Sequence, residues 1–133
     1  MKVTISPALP PLSRVKEQTR KPIRVALVQM HWEADEATHL ANLNKGIELA
    51  SNAGAQMVFL PELTLSRYPA DKLPVGRPAD IAEELEGKTF QFAKAAAEKH
   101  GVYVHASIYE DTELEDGRGT NVAIMVNPQG ELI

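Results

Sequence analysis

The sequence of 133 residues contains no cysteine. Disulfide bonds and cysteine-based zinc sites are therefore excluded, and so is a cysteine nucleophile among these residues. Aromatic residues are also few, at 5%, whereas apolar residues make up 44% and charged residues 24%. This composition is typical of an ordinary globular protein, and the length fits one domain at most.

Long apolar runs are absent as well. No stretch approaches the roughly 20 residues of a membrane span, and the N-terminus lacks the continuous apolar segment of a signal peptide. We therefore expect a cytoplasmic protein with no membrane partner. Gly-x-Gly-x-x-Gly and phosphate-loop patterns are missing too, which disfavours a nucleotide-binding domain, and we predict no cofactor.

Basic residues are too few to form a nucleic-acid-binding stripe. The chain has 14 basic and 18 acidic residues, and residues 1–22 hold five of the basic residues and one acid, Glu17. Nine basic and seventeen acidic residues remain from Ile23 onward, a net charge of −8. An acidic body of this kind argues against nucleic acid as a partner.

Residues 1–22 show neither strand alternation nor a helical stripe. We interpret them as a flexible N-terminal leader, with a targeting peptide or a basic docking arm as alternatives. Residues 23–133 are then the folded part. Four short apolar runs predict strands at 23–28, 57–60, 102–109 and 121–126.

Helical patterns separate the first three of these strands. One runs from Asp35 to a stop at Gly54, and another follows Gly87 and ends at Gly101. A short helix, Ile81–Glu86, is predicted behind a capping box of Asp80 and Glu83. The order of elements predicts an α/β sheet with parallel pairing early and a hairpin late.

The last seven residues predict a turn and the beginning of another strand. Asn127-Pro128-Gln129-Gly130 is the turn, and Glu131–Ile133 is apolar enough to begin a strand. Because strands are rarely so short, we expect the polypeptide to be cut off inside a fold. The alternative is a complete domain with a short final edge strand.

Glu62 lies where chemistry is expected in an α/β sheet. It directly follows the second predicted strand and Pro61, and reactive groups gather beyond the carboxyl ends of such strands. A partly desolvated carboxylate at this point could act as a general base. On chemistry alone, a solvated loop residue or a helix cap is the commoner role for such an acid.

The four histidines lack the paired spacing of a metal site, so we predict no metal. His39 is expected on an exposed helix face and His100 at a helix C-terminus. His31 and His105 are expected either to line the cleft or to be structural. Asn121 is interpreted as a structural residue of the late hairpin.

An ordered set of motifs over residues 23–133 resembles the nitrilase superfamily of carbon-nitrogen hydrolases. The motifs are Arg24 to Met30, Ala53-Gly54-Ala55, Val58 to Leu63, Ser66-Arg67-Tyr68-Pro69, His100-Gly101-Val102, Asn121-Val122-Ala123 and Pro128-Gln129-Gly130. The resemblance implies a nitrilase-type α-β-β-α sandwich that is truncated after roughly half of the domain.

The resemblance also implies a reaction. By motif match, Glu62 is the family's general base toward a cysteine thiol, which attacks a nitrile or amide carbon and forms a thioester. A lysine stabilises the tetrahedral intermediate. The family places this lysine and cysteine downstream of the Pro-x-Gly turn, so neither role is assigned here, and we expect the 133-residue chain alone to be inactive.

For the full-length parent, the resemblance implies hydrolysis of a small amide, an N-carbamoyl amine or a nitrile, and assembly into a homo-oligomer. Tyr68 resembles a loop tyrosine that borders the substrate pocket, although Arg67 stands where the family usually has glycine, and loop packing is the alternative. Arg67, Lys72 and Arg77 could meet an anionic substrate group or simply be solvated.

Two other functions stay open. The chain could be a non-catalytic binding or assembly module that pairs an unfilled sheet edge with another chain. The parent could also be an acyltransferase that uses the same cysteine chemistry.

Overall fold

The structure is a computed structural model that describes residues 1–7, 12, 19–69, 81–112 and 114–133. Its helices and strands alternate in the predicted order. They are β1 (Val25–Leu27), α1 (Glu36–Asn52), β2 (Met57–Phe59), α2 (Lys88–His100), β3 (Tyr103–Glu110) and β4 (Thr120–Val126). The prediction of an α/β fold is confirmed.

The four strands form one sheet in the order β1-β2-β3-β4. β1, β2 and β3 run parallel, and β3 and β4 form an antiparallel hairpin, as the order of elements predicts. After the turn at Asn127, Leu132 forms an antiparallel bridge with Val126, and the amide of Ile133 donates to the Met125 carbonyl at 3.0 Å. The last residues therefore begin to pair, as predicted.

Both helices pack on one face of the sheet. Alternate strand residues point to that face and are almost fully buried against apolar helix residues. The sheet contributes Val58, Val104, Ala106, Ile108, Ile124 and Val126, and the helices contribute Leu43, Ile47, Phe90, Ala93 and Ala97. This contact between a helix layer and a sheet layer is the hydrophobic core.

The other face of the sheet is apolar, and no described residue covers it as the helices cover the first. Val25 is 46% exposed, Leu27 80% and Tyr103 36%. The register places Leu27 beside Phe59 and Phe59 beside His105, so these side chains share the uncovered face. The described residues thus form one helix layer and one sheet layer, which correspond to the first two layers of the expected α-β-β-α sandwich.

The helix ends follow the sequence signals. At the start of α1, the hydroxyl and the amide of Thr38 donate to the Asp35 carboxylate at 2.5 and 2.9 Å. These hydrogen bonds hold the pKa of Asp35 below its usual value. Gly54 follows α1 with φ +81° and Gly101 caps α2 with φ +63°, a backbone region that favours glycine.

The predicted helix Ile81–Glu86 is wrong. Glu83 instead forms a parallel bridge with Glu110, and its carboxylate accepts from the amide and the hydroxyl of Thr89 at 2.8 and 2.5 Å. Because Gly87, the N-cap of α2, has no side chain to cap with, Glu83 supplies that cap from outside the helix. Asp80, the other half of the predicted capping box, lies outside the described residues.

Only part of the predicted leader is described. Residues 1–7 are exposed, and Met1 to Ser6 line one side of a groove whose other side includes β1 and α1. In the parts of the chain that the structure describes, neither α1 nor α2 is long and apolar enough to cross a membrane.

Removing the cap that Glu83 provides should destabilise the fold. Glu83→Ala leaves the amide and hydroxyl of Thr89 without their acceptor, and Thr89 is fully buried. We expect a loss of roughly 1–3 kcal/mol in the free energy of unfolding, measured by urea titration. The neighbouring exposed residue provides the control, Glu84→Ala, which should change stability little; equal losses for the two variants would contradict the assignment of the cap.

Candidate active site

The segment after β2 leaves the sheet and then rejoins it. The amide of Leu60 donates to the His105 carbonyl at 3.0 Å, so regular parallel pairing would bring the Glu62 amide to the Ser107 carbonyl. The amide of Thr64 takes that place at 2.9 Å. The ladder therefore slips by two residues, and Glu62 lies at the outside of the resulting bulge.

The side chain of Thr64 completes the pairing. Its hydroxyl accepts from the Ser107 amide at 3.0 Å, a role that the Leu60 carbonyl would have in a regular ladder, and donates to the Pro61 carbonyl at 2.9 Å. Thr64 is 1% exposed. The bulge is thus closed at its base by buried hydrogen bonds rather than left as a loose loop.

The backbone at Leu63 is strained. Its φ of +49° lies in the left-handed region that bulky side chains rarely adopt. The Leu63 amide donates to the Ser107 hydroxyl at 3.1 Å, and Leu63 is 4% exposed. Both the backbone amide and the side chain of Leu63 are therefore held in place. Strain of this kind persists only where the surroundings impose it, and it concentrates at functional sites.

His39 fastens the bulge to α1, and the prediction of an exposed helix face is wrong. The residue is 4% exposed, and its Nε2 lies 2.8 Å from the Thr64 carbonyl. Its Nδ1 accepts from the Glu33 amide at 3.3 Å. Because Nδ1 accepts, the ring proton is on Nε2, which donates to Thr64. The loop after β2 passes over this face of the helix and buries it.

Asn121 reaches Glu62 across the end of the sheet. Its Nδ2 donates to Glu62 Oε1 at 2.5 Å, and its Oδ1 accepts from the Ser107 hydroxyl at 3.0 Å. Asn121 thus lies in the β3-β4 hairpin, as predicted, and also contacts Glu62. The contact brings β4, β3 and the bulge together at one carboxylate.

Glu62 itself is exposed, so the expected partial desolvation is wrong for the described part of the molecule. The carboxylate lies at the edge of the uncovered sheet face, on the same side as Ser107 and Asn121. A carboxylate held by one amide has further lone pairs that can accept a proton. It is a usable base if a proton donor is brought to this face.

Two other predicted site residues, Arg67 and Tyr68, follow the bulge along the chain. Tyr68 is 63% exposed, and Arg67 lines a pocket of about 190 Å³ with Trp32, His39 and Lys88. Lys72 and Arg77 lie outside the described residues.

The remaining histidines divide between surface and sheet. His31 is exposed, and His100 lies in the last turn of α2 as predicted. His105 stacks on Phe59 with ring centroids 4.8 Å apart, on the uncovered face. Among the described residues, no three His, Asp or Glu side chains cluster as a metal site would require.

Comparison with known proteins assigns the family. The family model described as carbon-nitrogen hydrolase matches residues 24–133. The chain belongs to the carbon-nitrogen hydrolase family. Among its curated relatives in that family, Hydrolase Rv0480c of Mycobacterium tuberculosis is 33% identical over 107 residues, and omega-amidase NIT2 of Danio rerio is 31% identical over 111.

The match covers most of this chain but only part of each relative. It takes in 80% of the chain and 35% of Hydrolase Rv0480c, and 83% of the chain and 37% of omega-amidase NIT2. The chain thus spans little more than a third of the length of these two relatives.

Solved structures of carbon-nitrogen hydrolases share the fold. A carbon-nitrogen hydrolase from Helicobacter pylori G27 superposes with a TM-score of 0.66 at 22% identity, over 83% of this chain and 37% of that one. A mutant of the amidase from Nesterenkonia sp. AN1, with acrylamide added at its active-site cysteine, gives 0.64 at 19% identity, over 84% and 42%. At these identities the likeness establishes the fold alone.

Breaking the contact between His39 and Thr64 should loosen the bulge. His39→Leu leaves the Thr64 carbonyl and the Glu33 amide without partners, and we expect a loss of roughly 1–3 kcal/mol in the free energy of unfolding. His39→Gln keeps an N–H donor and should lose less. The exposed His31 supplies the matched control, since His31→Leu should leave the denaturant midpoint nearly unchanged; a midpoint equally insensitive to His39→Leu would contradict this role.

Proposed function

We propose that Glu62 is the general base of a longer parent enzyme that hydrolyses non-peptide carbon-nitrogen bonds. The observation that carries the proposal is the hydrogen bond from Asn121 to Glu62 at the carboxyl end of β2, in a chain of the carbon-nitrogen hydrolase family. The strand ladder slips by two residues at this carboxylate, and the backbone beside it is strained. Three polar side chains from outside the bulge also form hydrogen bonds with its residues. Such a concentration is expected of a functional residue.

The proposed chemistry needs two groups that these 133 residues do not assign. A cysteine thiol of the parent loses its proton to Glu62, and the thiolate attacks the carbonyl or nitrile carbon of the substrate. A lysine stabilises the negative charge that develops on the substrate. For an amide, the proton held by Glu62 passes to the leaving nitrogen as the C–N bond breaks, and water then cleaves the thioester. For a nitrile, the first product is a thioimidate, which water converts to the thioester with release of ammonia before a second water cleaves it.

The names of the relatives support a small-molecule substrate. They include omega-amidase NIT2, a citrullinase of Francisella tularensis at 29% identity and a nitrilase of Pyrococcus abyssi at 34%. The proposed substrate is a small amide, an N-carbamoyl amine or a nitrile, and Tyr68 is proposed to border its pocket.

The uncovered sheet face fits a further layer of the parent. Val25, Leu27 and Tyr103 expose apolar surface there, and burying such surface is favourable by about 25 cal/mol per Å². We propose that a second sheet of the parent packs on this face and brings the cysteine and the lysine toward Glu62. A homo-oligomeric, cytoplasmic parent in which residues 1–22 are a leader to the hydrolase domain completes the proposal.

Glu62→Gln in the parent should lower kcat for amide hydrolysis by about 10²–10⁴-fold, which is the usual contribution of a general base. Glutamine is isosteric and can still accept from Asn121, so the melting temperature should stay the same. Ammonia release under saturating substrate measures the effect. Glu84→Gln is the control, because it removes the same charge from another exposed glutamate. A Glu62→Gln enzyme with undiminished kcat would contradict the proposal.

The 133-residue chain by itself should release no ammonia from amides or nitriles. Amide hydrolysis by the purified chain that disappears in Glu62→Gln would contradict the need for a cysteine. The coding sequence beyond Ile133 gives a simpler test. We expect a lysine codon and then a cysteine codon within about 50 codons, an order and a window taken from the pattern of the family that the chain resembles.

The uncovered face also favours a second candidate, a non-catalytic assembly module. A sheet with one apolar face exposed and β1 at its edge can bind another chain. The two functions differ in one observable. In the module the chain forms a stable, cooperative complex with another polypeptide while Glu62→Gln has no effect on any activity.

A further inference from the structure

Four groups form a chain of hydrogen bonds that ends on Glu62. The Leu63 amide donates to Ser107 Oγ at 3.1 Å, Ser107 Oγ lies 3.0 Å from Asn121 Oδ1, and Asn121 Nδ2 lies 2.5 Å from Glu62 Oε1. This series of hydrogen bonds begins at Leu63 and ends at the adjacent Glu62, so it forms a closed loop that passes through β3 and β4. Ser107 is 5% exposed, which shields the centre of this loop from water.

The Leu63 amide fixes which group donates in each of these hydrogen bonds. A backbone amide can only donate, so Ser107 Oγ accepts from Leu63 and has its single proton left to donate. The acceptor for that proton is Asn121 Oδ1. The amide group of Asn121 is thereby oriented with its oxygen toward Ser107 and its nitrogen toward Glu62.

A reversed Asn121 amide is disfavoured at both ends. Its oxygen would face the Glu62 carboxylate, acceptor against acceptor, and its nitrogen would face Ser107. The buried Ser107 hydroxyl proton would then lose the acceptor that it has among the described residues. Buried polar groups without partners are costly, so the observed orientation is the stable one while Glu62 is ionised.

We propose that Ser107 and Asn121 are positioning residues that distinguish the two oxygens of Glu62. Asn121 keeps Oε1 as an acceptor, so Oε2 is the oxygen that takes the thiol proton. The sulfur keeps the electron pair of the broken S–H bond. The proposal rests on Glu62 being the general base, but the orientation of Asn121 can be measured in this chain without any activity.

Nuclear magnetic resonance of the 15N,13C-labelled chain tests the orientation. The side-chain amide signals of Asn121 should shift with pH at the same midpoint as the Glu62 side-chain carboxyl carbon, and Glu62→Gln should abolish this titration. Asn127 is an internal control because its Nδ2 donates to Glu131 Oε2 at 2.7 Å. Its signals should follow Glu131 and ignore Glu62→Gln.

Ser107→Ala tests the source of the orientation. Without the hydroxyl, Asn121 can reverse, so its two amide proton shifts should move toward each other and lose their dependence on Glu62. Ser51→Ala is the matched control, since Ser51 lies on α1 and its hydroxyl approaches the His100 carbonyl at 3.5 Å. Backbone amide shifts of β3 and β4 show whether the variants stay folded.

In the parent, Asn121→Ala should lower kcat roughly tenfold to a hundredfold with KM unchanged, because it loosens the base without removing it. In the Glu62→Gln background it should have no further effect. An Asn121 amide that ignores Glu62 ionisation, or a loss of kcat that is the same in both backgrounds, would overturn the positioning role. Glu62→Gln alone tests the general base, so the two claims fail separately.

Discussion

The site depends on Ser107, which forms hydrogen bonds with the bulge after β2 through both its backbone and its side chain. Its carbonyl and amide pair with Thr64, and its hydroxyl accepts from Leu63. All three bonds are buried or nearly so, which makes each of them costly to break. The ladder therefore continues past a two-residue slip, and Glu62 is held outside the sheet by the sheet itself.

This arrangement joins the hydrophobic core to the carboxylate. Val104, Ala106 and Ile108 bury one side of β3 against α2, which fixes the strand that carries Ser107. The register of the β3-β4 hairpin fixes the position of Asn121, which pairs with Tyr109, two residues beyond Ser107. Because His39 ties the bulge to α1 as well, every layer of the molecule contributes to the position of Glu62.

Much of the fold follows from local sequence signals. Asp35, Gly54, Gly87 and Gly101 mark the helix ends, and the apolar runs mark the strand ends to within two residues. The prediction of a helix at Ile81–Glu86 is wrong because the Glu83 carboxylate caps the next helix, where it accepts from the Thr89 amide. A side chain that caps at a distance carries the same local signature as one that caps its own helix.

The site was only partly predictable for a related reason. Glu62 could be identified from its place after a strand and from the resemblance, but its partners come from far along the chain. Ser107 is a polar residue inside an apolar strand, a signal that could have marked it. The burial of His39 and the contact of Asn121 depend on how the bulge passes over α1 and β4, and neither pattern nor spacing encodes that path.

Native-state hydrogen exchange tests most directly whether the bulge is part of the sheet. The amides of Leu63, Thr64 and Ser107 should be protected to the same degree as those of Val28 and Leu60, which donate across the regular ladder. Exchange of all three at the rate of an unstructured peptide, while Val28 and Leu60 stay protected, would contradict the account.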